Sequence, residues 1–254
     1  MASHSADTNG RLTTRRYKLY SALNFVQSAS ALTFSTFAVI HGAQIAAAAV
    51  YGIDVADRWL LLGRPFYQDQ NLEGILVTGS AAVHILSSVA KKALGHKSSM
   101  TVVLPHHSWT GFVLVPLTAL HFVLARKLPA KYFGDSAFVD FGHIAWGLQN
   151  WPIFTYGLHG ALIGASAYHI VSGTSIAIQR VFGKSRKIEQ RNLLKPKQTK
   201  RYQQRNTAPF TTAVAAVIGL VLCGGLVAIG QAKKIPLRRD YAKIYQILVP
   251  AWSS

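Results

Sequence analysis

The sequence predicts an all-α fold, an integral membrane bundle of five transmembrane helices. The main observation is the placement of charge. Five uncharged stretches run through the 254-residue chain, at Leu19–Ile53, Gly74–Ala90, Ser98–Ala125, Phe141–Gln179 and Asn206–Ala232. Each is long enough, the second only just, to cross a hydrocarbon core of about 30 Å at about 1.5 Å per residue. Half of the residues are hydrophobic and the mean hydropathy is +0.23. These apolar residues lie in continuous runs, without the amphipathic period of a soluble bundle. In lipid each backbone polar group must be satisfied within its own segment, so runs of this length read as helices.

In order along the chain, residues 1–18 are polar and are expected to form a disordered basic tail. The transmembrane domain is assigned to residues 19–232, with spans at about 22–50, 74–94, 107–125, 153–179 and 209–230. Span one ends at Tyr51-Gly52. The segment DRWLLLGRPFYQDQNLE (57–73) reads as interfacial, with Trp59 and Tyr67 as belt aromatics and Arg64-Pro65 breaking a regular helix. Span two exits through Lys91 and Lys92, and span three through Arg126-Lys127, with a kink expected at Pro116. The stretch from Trp146 to Trp151 leads into span four at Pro152, a favourable first-turn residue. Span five follows Pro209. Residues 233–254 form a basic C-terminal tail, whose segment Lys233–Tyr245 is expected to lie on the membrane surface.

A net charge of +18 suggests nucleic acid until it is located. Loop four, 180–205, holds 10 of the 27 basic residues, in a run without aromatic interleaving or a DNA-binding motif. Basic flanks of this kind orient spans and touch anionic headgroups. The N-terminus, loop two and loop four together carry 17 basic residues against 10 on the other side, which places the N-terminus and loop four on one, cytosolic, face. The basic N-terminal residues resemble a mitochondrial presequence, and flanking charge accounts for them equally well. The single cysteine, Cys223, excludes a disulfide framework and multi-cysteine metal sites.

Ionisable side chains at membrane depth are costly and usually functional. His41, His84, His121, His159 and His169 all fall inside the spans. Spans one and three run in the same direction, as do spans two and four. Two pairs follow, His41 with His121 and His84 with His169, and these are candidate axial ligands of b-type haem, in which the iron would be the only metal bound. Depth reckoned from the nearest charged residue favours His84 with His169. The His41–His121 pair is mismatched by about 12 Å at about 1.5 Å per residue, which leaves His159 as an alternate partner for His121. Gly42, Gly79, Gly160 and Gly164 lie where a porphyrin needs room. The bland alternative is that these histidines only pack and hydrogen-bond between helices, and that Gly160-x-x-x-Gly164 is a close-packing motif. At the mouth of span three, HHSWTG (106–111) could bind a quinone headgroup, a lipid phosphate or a metal, or could be a solvated cap. No hydrolase triad, phosphate loop or HExxH motif occurs, so a non-enzymatic protein is expected.

Several pieces carry a family resemblance: DRWLLLGRPFYQ (57–68), EGILVTGSAAVHILSS (73–88), HHSWTGFVLVPLTALHFVLARKLP (106–129) and YGLHGALIGASAYHIVSGTS (156–175). Over about residues 20–230 the chain resembles the fungal mitochondrial adapter family of the Mdm-ten-complementing protein type. That transmembrane domain in turn resembles the cytochrome b anchors of succinate dehydrogenase and fumarate reductase. The resemblance implies an outer mitochondrial membrane protein acting in lipid homeostasis, with membrane lipids and a lipid-transfer or contact-site protein as partners and no nucleic acid. The anchor likeness implies an alternative, a diheme cytochrome b-type subunit in electron transfer or quinone chemistry. The anchors' HRxTG quinone motif is only partly matched, because Ser108 follows His107. The family recruits its lipid-transfer partner through a Pro-x-Pro motif, and this chain contains none.

Overall fold

The computed structural model describes residues 3–94, 105–183 and 198–248. The centres of loops two and four and the last six residues lie outside them. The described residues form helices, turns and short connections: α1 (Ser3–Tyr51), α2 (Ile53–Tyr67), α3 (Glu73–Ala93), α4 (105–133), α5 (Phe141–Asn150), α6 (Pro152–Phe182), α7 (Gln198–Gly230) and α8 (Arg238–Leu248). Five helices among the described residues are long and apolar enough to cross a membrane, at Lys18–Tyr51, Glu73–Ala93, His107–Phe133, Pro152–Phe182 and Pro209–Gly230. The all-α, five-span expectation is met, and the chain is an integral membrane protein. Large apolar side chains such as Leu220 (73% exposed) and Ile153 (92% exposed) stand on the outer faces of their helices, as lipid contact requires.

Local chemistry sets the helix ends. No proline precedes Pro65, so nothing blocks helix propagation near the N-terminus. The tail expected to be disordered is helical from Ser3. Polar side chains inside α1 bond back to their own helix: Thr33 Oγ1 to the Ala29 carbonyl at 3.1 Å and Ser35 Oγ to the Ala31 carbonyl at 2.8 Å. These hydroxyls are satisfied without water. Gly52 ends α1 with φ of 84°, a left-handed conformation that glycine adopts without steric cost.

The break expected at Arg64-Pro65 is absent, since α2 continues through Pro65 to Tyr67. Pro65 stands in the last turn, where it removes only one backbone bond. The helix α7 begins at Gln198, ahead of the expected span, Pro209–Gly230, that it carries. Asp69 caps a single turn, Gln70–Leu72, accepting from the Asn71 and Leu72 amides at 3.0 and 3.2 Å. A π-helical stretch, Glu73–Gly79, then opens α3, and a second, Val123–Lys127, lies within α4 just past His121.

The chain divides into two compact units, and α1, α2, α6 and α7 contribute residues to both. One unit combines 1–38, 66–102 and 173–205. In it, α1 and α3 are joined by Lys91 Nζ, which donates to Asn24 Oδ1 at 2.9 Å and to Gln27 Oε1. The other unit combines 39–65, 103–172 and 206–254 and holds two buried clusters. The first packs Ala47, Ala56, Leu60, Leu148, Leu226 and Ile229 together, with Cys223 partly buried beside them. Here α1 and α7 approach so closely that a Cβ on Gly225 would overlap the Ile45 carbonyl oxygen. By contrast, no described atom lies within 4 Å of a Cβ built at Gly160 or Gly164, so the close-packing glycine is Gly225. The second cluster gathers Leu124, Trp146, Leu158, Tyr241, Ile244 and Tyr245. The last three belong to α8, whose apolar positions 241, 244, 245 and 248 follow a helical period. The C-terminal segment expected on the membrane surface is therefore docked into protein through one fully buried face.

Candidate functional site

In the larger unit three of the histidines meet. The His41 and His121 rings are 6.2 Å apart between centroids, and the His121 and His159 rings are 5.3 Å apart at 86°. Reckoning depth from the nearest charge separated His41 from His121 because it took Asp54, near the start of α2, as marking the membrane surface. In fact α2 is tied into the protein: Asp57 accepts from the Phe141 amide at 2.9 Å. The Arg64 guanidinium donates to the Ala137 and Val139 carbonyls. The alternate contact of His159 with His121 is also present.

Hydrogen bonds fix the tautomer of each ring. The Thr155 carbonyl can only accept, so His159, 2.9 Å away, carries its proton on Nδ1. Its Nε2 is then an acceptor, and His121 donates to it from Nδ1 at 3.3 Å. The Gln44 amide donates to the Trp59 carbonyl at 3.1 Å, which turns its oxygen toward His41 Nδ1 at 3.3 Å. His41 is thus also protonated on Nδ1. For all three rings the lone pair falls on Nε2.

His169 is held by the motif at the mouth of span three. It stacks on His107 at 4.0 Å and 6°. Thr110 donates to the His107 carbonyl at 2.9 Å, so His169 Nδ1 shares its proton between that carbonyl, at 3.1 Å, and Thr110 Oγ1, at 3.3 Å. His107 Nδ1 in turn donates to Ser172 Oγ at 2.8 Å. A Cβ on Gly111 would come within 2.8 Å of His169 Cε1. His107, Thr110 and Gly111 form a cradle for His169, and this, rather than a solvated cap, explains their spacing.

His84 lies in the smaller unit, where its Nδ1 donates to the Gln27 carbonyl at 3.1 Å. The two members of the favoured pair, His84 and His169, therefore belong to different units.

The four histidines read as haem ligands, His41, His84, His121 and His169, all place Nδ1–H on an oxygen or nitrogen acceptor and the lone pair on Nε2. A metal-ligating imidazole is held in this way. Two imidazoles facing each other across a metal, with metal–nitrogen bonds of about 2 Å, have ring centres about 6 Å apart. His41 and His121 match that spacing. His121 Nδ1 and His159 Nε2, at 3.3 Å, are closer than the about 4 Å that such bonds require. The donor set thus suits haem iron at His41 and His121, with His159 outside it. Among the described residues no group of three or more His, Cys, Asp or Glu is placed to hold a bare metal ion.

A second polar cluster was missed by the sequence reading. His143 on α5 is fully buried, and neither ring nitrogen has a hydrogen-bond partner. It lies against Tyr241 and Tyr245 at 5.3 and 5.0 Å between ring centres. Burial, with His159 nearby, lowers its pKa to about 3. Tyr241 donates to Asp140 Oδ1 at 2.7 Å, and burial raises the pKa of its hydroxyl well above the usual phenol range. Asp57 is pushed up to about 6, first by burial and then by the neighbouring Asp140 and Asp54, although the Phe141 amide and Arg64 oppose the shift. The sequence signal for this cluster was the i, i+3, i+4, i+7 spacing of Tyr241, Ile244, Tyr245 and Leu248.

Residues 116–234 match the family model described as MDM10-complementing protein 1, transmembrane domain. The match spans just under half of the chain, from the middle of α4 past the end of α7, and includes His121, His159 and His169. It supports the family resemblance read from the sequence motifs and fits a mitochondrial membrane protein. No curated protein and no solved structure matches the chain. The likeness to cytochrome b anchors gains no support from these comparisons.

Proposed function

We propose that this protein is a non-enzymatic component of the mitochondrial outer membrane that supports lipid homeostasis or organelle contact. The match of residues 116–234 to the MDM10-complementing protein 1 transmembrane domain carries this reading. Its partners would be membrane lipids and a lipid-transfer or contact-site protein, engaged without a Pro-x-Pro motif. A tagged copy should co-fractionate with mitochondria and remain accessible to added protease in intact organelles. Residence in the secretory pathway would overturn the reading.

The histidine geometry favours a second property, binding of b-type haem through His41 and His121. The supporting observation is that both rings carry the lone pair on Nε2 at a spacing suited to iron between them. Bound haem would supply a one-electron redox centre. The protein residues would hold the iron, orient the rings through Gln44 and His159, and shield the site from water. Protein purified with ample haem should show a Soret band and, after dithionite reduction, an α-band. His121→Ala should remove the six-coordinate signal of the haem held by His41 and His121. A colourless wild-type preparation would end the haem reading. Two haems with a co-purifying dehydrogenase subunit would favour the diheme alternative over the lipid role.

A further inference from the structure

We propose that His159 is a positioning residue that fixes His121 in the Nδ1–H tautomer and so keeps the lone pair on its Nε2. The role of that nitrogen as a ligand rests on the haem reading; the tautomer does not. The argument begins at a backbone atom. The Thr155 carbonyl cannot donate, so His159 must donate to it from Nδ1. A neutral imidazole has one donor and one acceptor nitrogen, so His159 Nε2 accepts, and the only proton His121 can offer there is the one on its own Nδ1. Polarity is thus relayed from a helix carbonyl on α6 through two rings to a nitrogen on α4. Each bond in such a chain polarises the next and makes the terminal lone pair more basic. His159 is 7% exposed, so water does not compete for the bond.

Gln44 plays the equivalent part for His41. The two rings, 6.2 Å apart between centroids and tilted by 49°, are therefore each held at Nδ1 by a different element, α6 in one case and α1 in the other. Two rings that both lack a proton on Nε2 cannot hydrogen-bond to each other through those atoms. They can share a hydrogen-bond donor or a metal ion that accepts their electron pairs.

The test uses full-length protein in detergent with 15N-labelled histidine, and the His121 signals are assigned by difference from His121→Phe. Nitrogen shifts distinguish the two tautomers in haem-free protein. In the wild type, His121 is expected to be protonated on Nδ1. His159→Leu removes the acceptor and should raise the Nε2–H population several-fold. His159→Gln, whose amide oxygen can occupy the acceptor position, should restore the wild-type pattern. In haem-loaded protein, loss of such an orienting partner typically weakens binding about 10–100-fold, so haem titration should show that loss for Leu and recovery for Gln. An Nε2–H wild-type His121 would overturn the inference whether or not haem binds. Equal haem affinity in wild type and His159→Leu would also overturn it. The expected tautomer without haem uptake would uphold the inference and defeat only the haem reading.

Discussion

Tyr241 on α8 donates its hydroxyl proton to Asp140 across 2.7 Å, and the same carboxylate oxygen caps α5 by accepting from the Gly142 amide at 2.8 Å. One oxygen therefore both starts a helix and anchors the C-terminal one. The Tyr241 side chain is fully buried, which turns an amphipathic segment into part of the core.

Removing that hydroxyl should loosen α8. Tyr241→Phe keeps the ring and leaves Asp140 short of one donor, which costs about 1–3 kcal/mol for a hydrogen bond to a charged group. Hydrogen exchange across 238–248 in detergent should accelerate, with little change in α1. Unaltered protection in α8 would show that apolar packing alone docks it.

Asp57 predicts a pH dependence. Folding raises its pKa from 3.8 to about 6, so the native state binds this proton more tightly than the unfolded chain. Its contribution to stability is greatest below about pH 4 and falls as pH rises through about 6. Asp57→Asn still accepts from the Phe141 amide and should flatten the unfolding midpoint between pH 4 and 6. A midpoint profile identical to that of the wild type would rule out Asp57 as the titrating group.

His143 acts in the opposite direction. Its folded pKa of about 3 lies below the ordinary 6.5, so burial of the neutral ring favours folding above about pH 6.5. That stability is lost as pH falls toward 3. His143→Phe, which replaces two unpartnered nitrogens with ring carbons, should hold or raise the unfolding midpoint at pH 7 and reduce acid sensitivity. A fall of several degrees at pH 7 would mean that the imidazole has a polar partner in the folded protein.

Gly225 tests the contact between α1 and α7. A side chain there must displace the Ile45 carbonyl, and overpacking of this kind costs about 1–3 kcal/mol. Gly225→Val should lower the unfolding midpoint clearly, whereas Gly160→Val, facing open space, should leave it nearly unchanged. Equal effects at the two glycines would contradict the helix packing seen here.

The sequence by itself determined the five spans, because long uncharged runs admit only helices in lipid, and it singled out His41, His84, His121, His159 and His169 as the costly residues. It also marked the HHxxTG motif, whose spacing proved to be the cradle of His169. Which histidines meet was decided by tertiary structure. Depth counted from charged residues assumes that charge marks the membrane surface, but Asp54 sits on α2, a helix that Asp57 and Arg64 tie into the protein. The same holds for α8, whose basic residues suggested a surface segment while Tyr241, Ile244 and Tyr245 shared one buried face. Charge and period are local properties of the chain. Depth, tautomer and burial are set by the groups that other helices bring alongside.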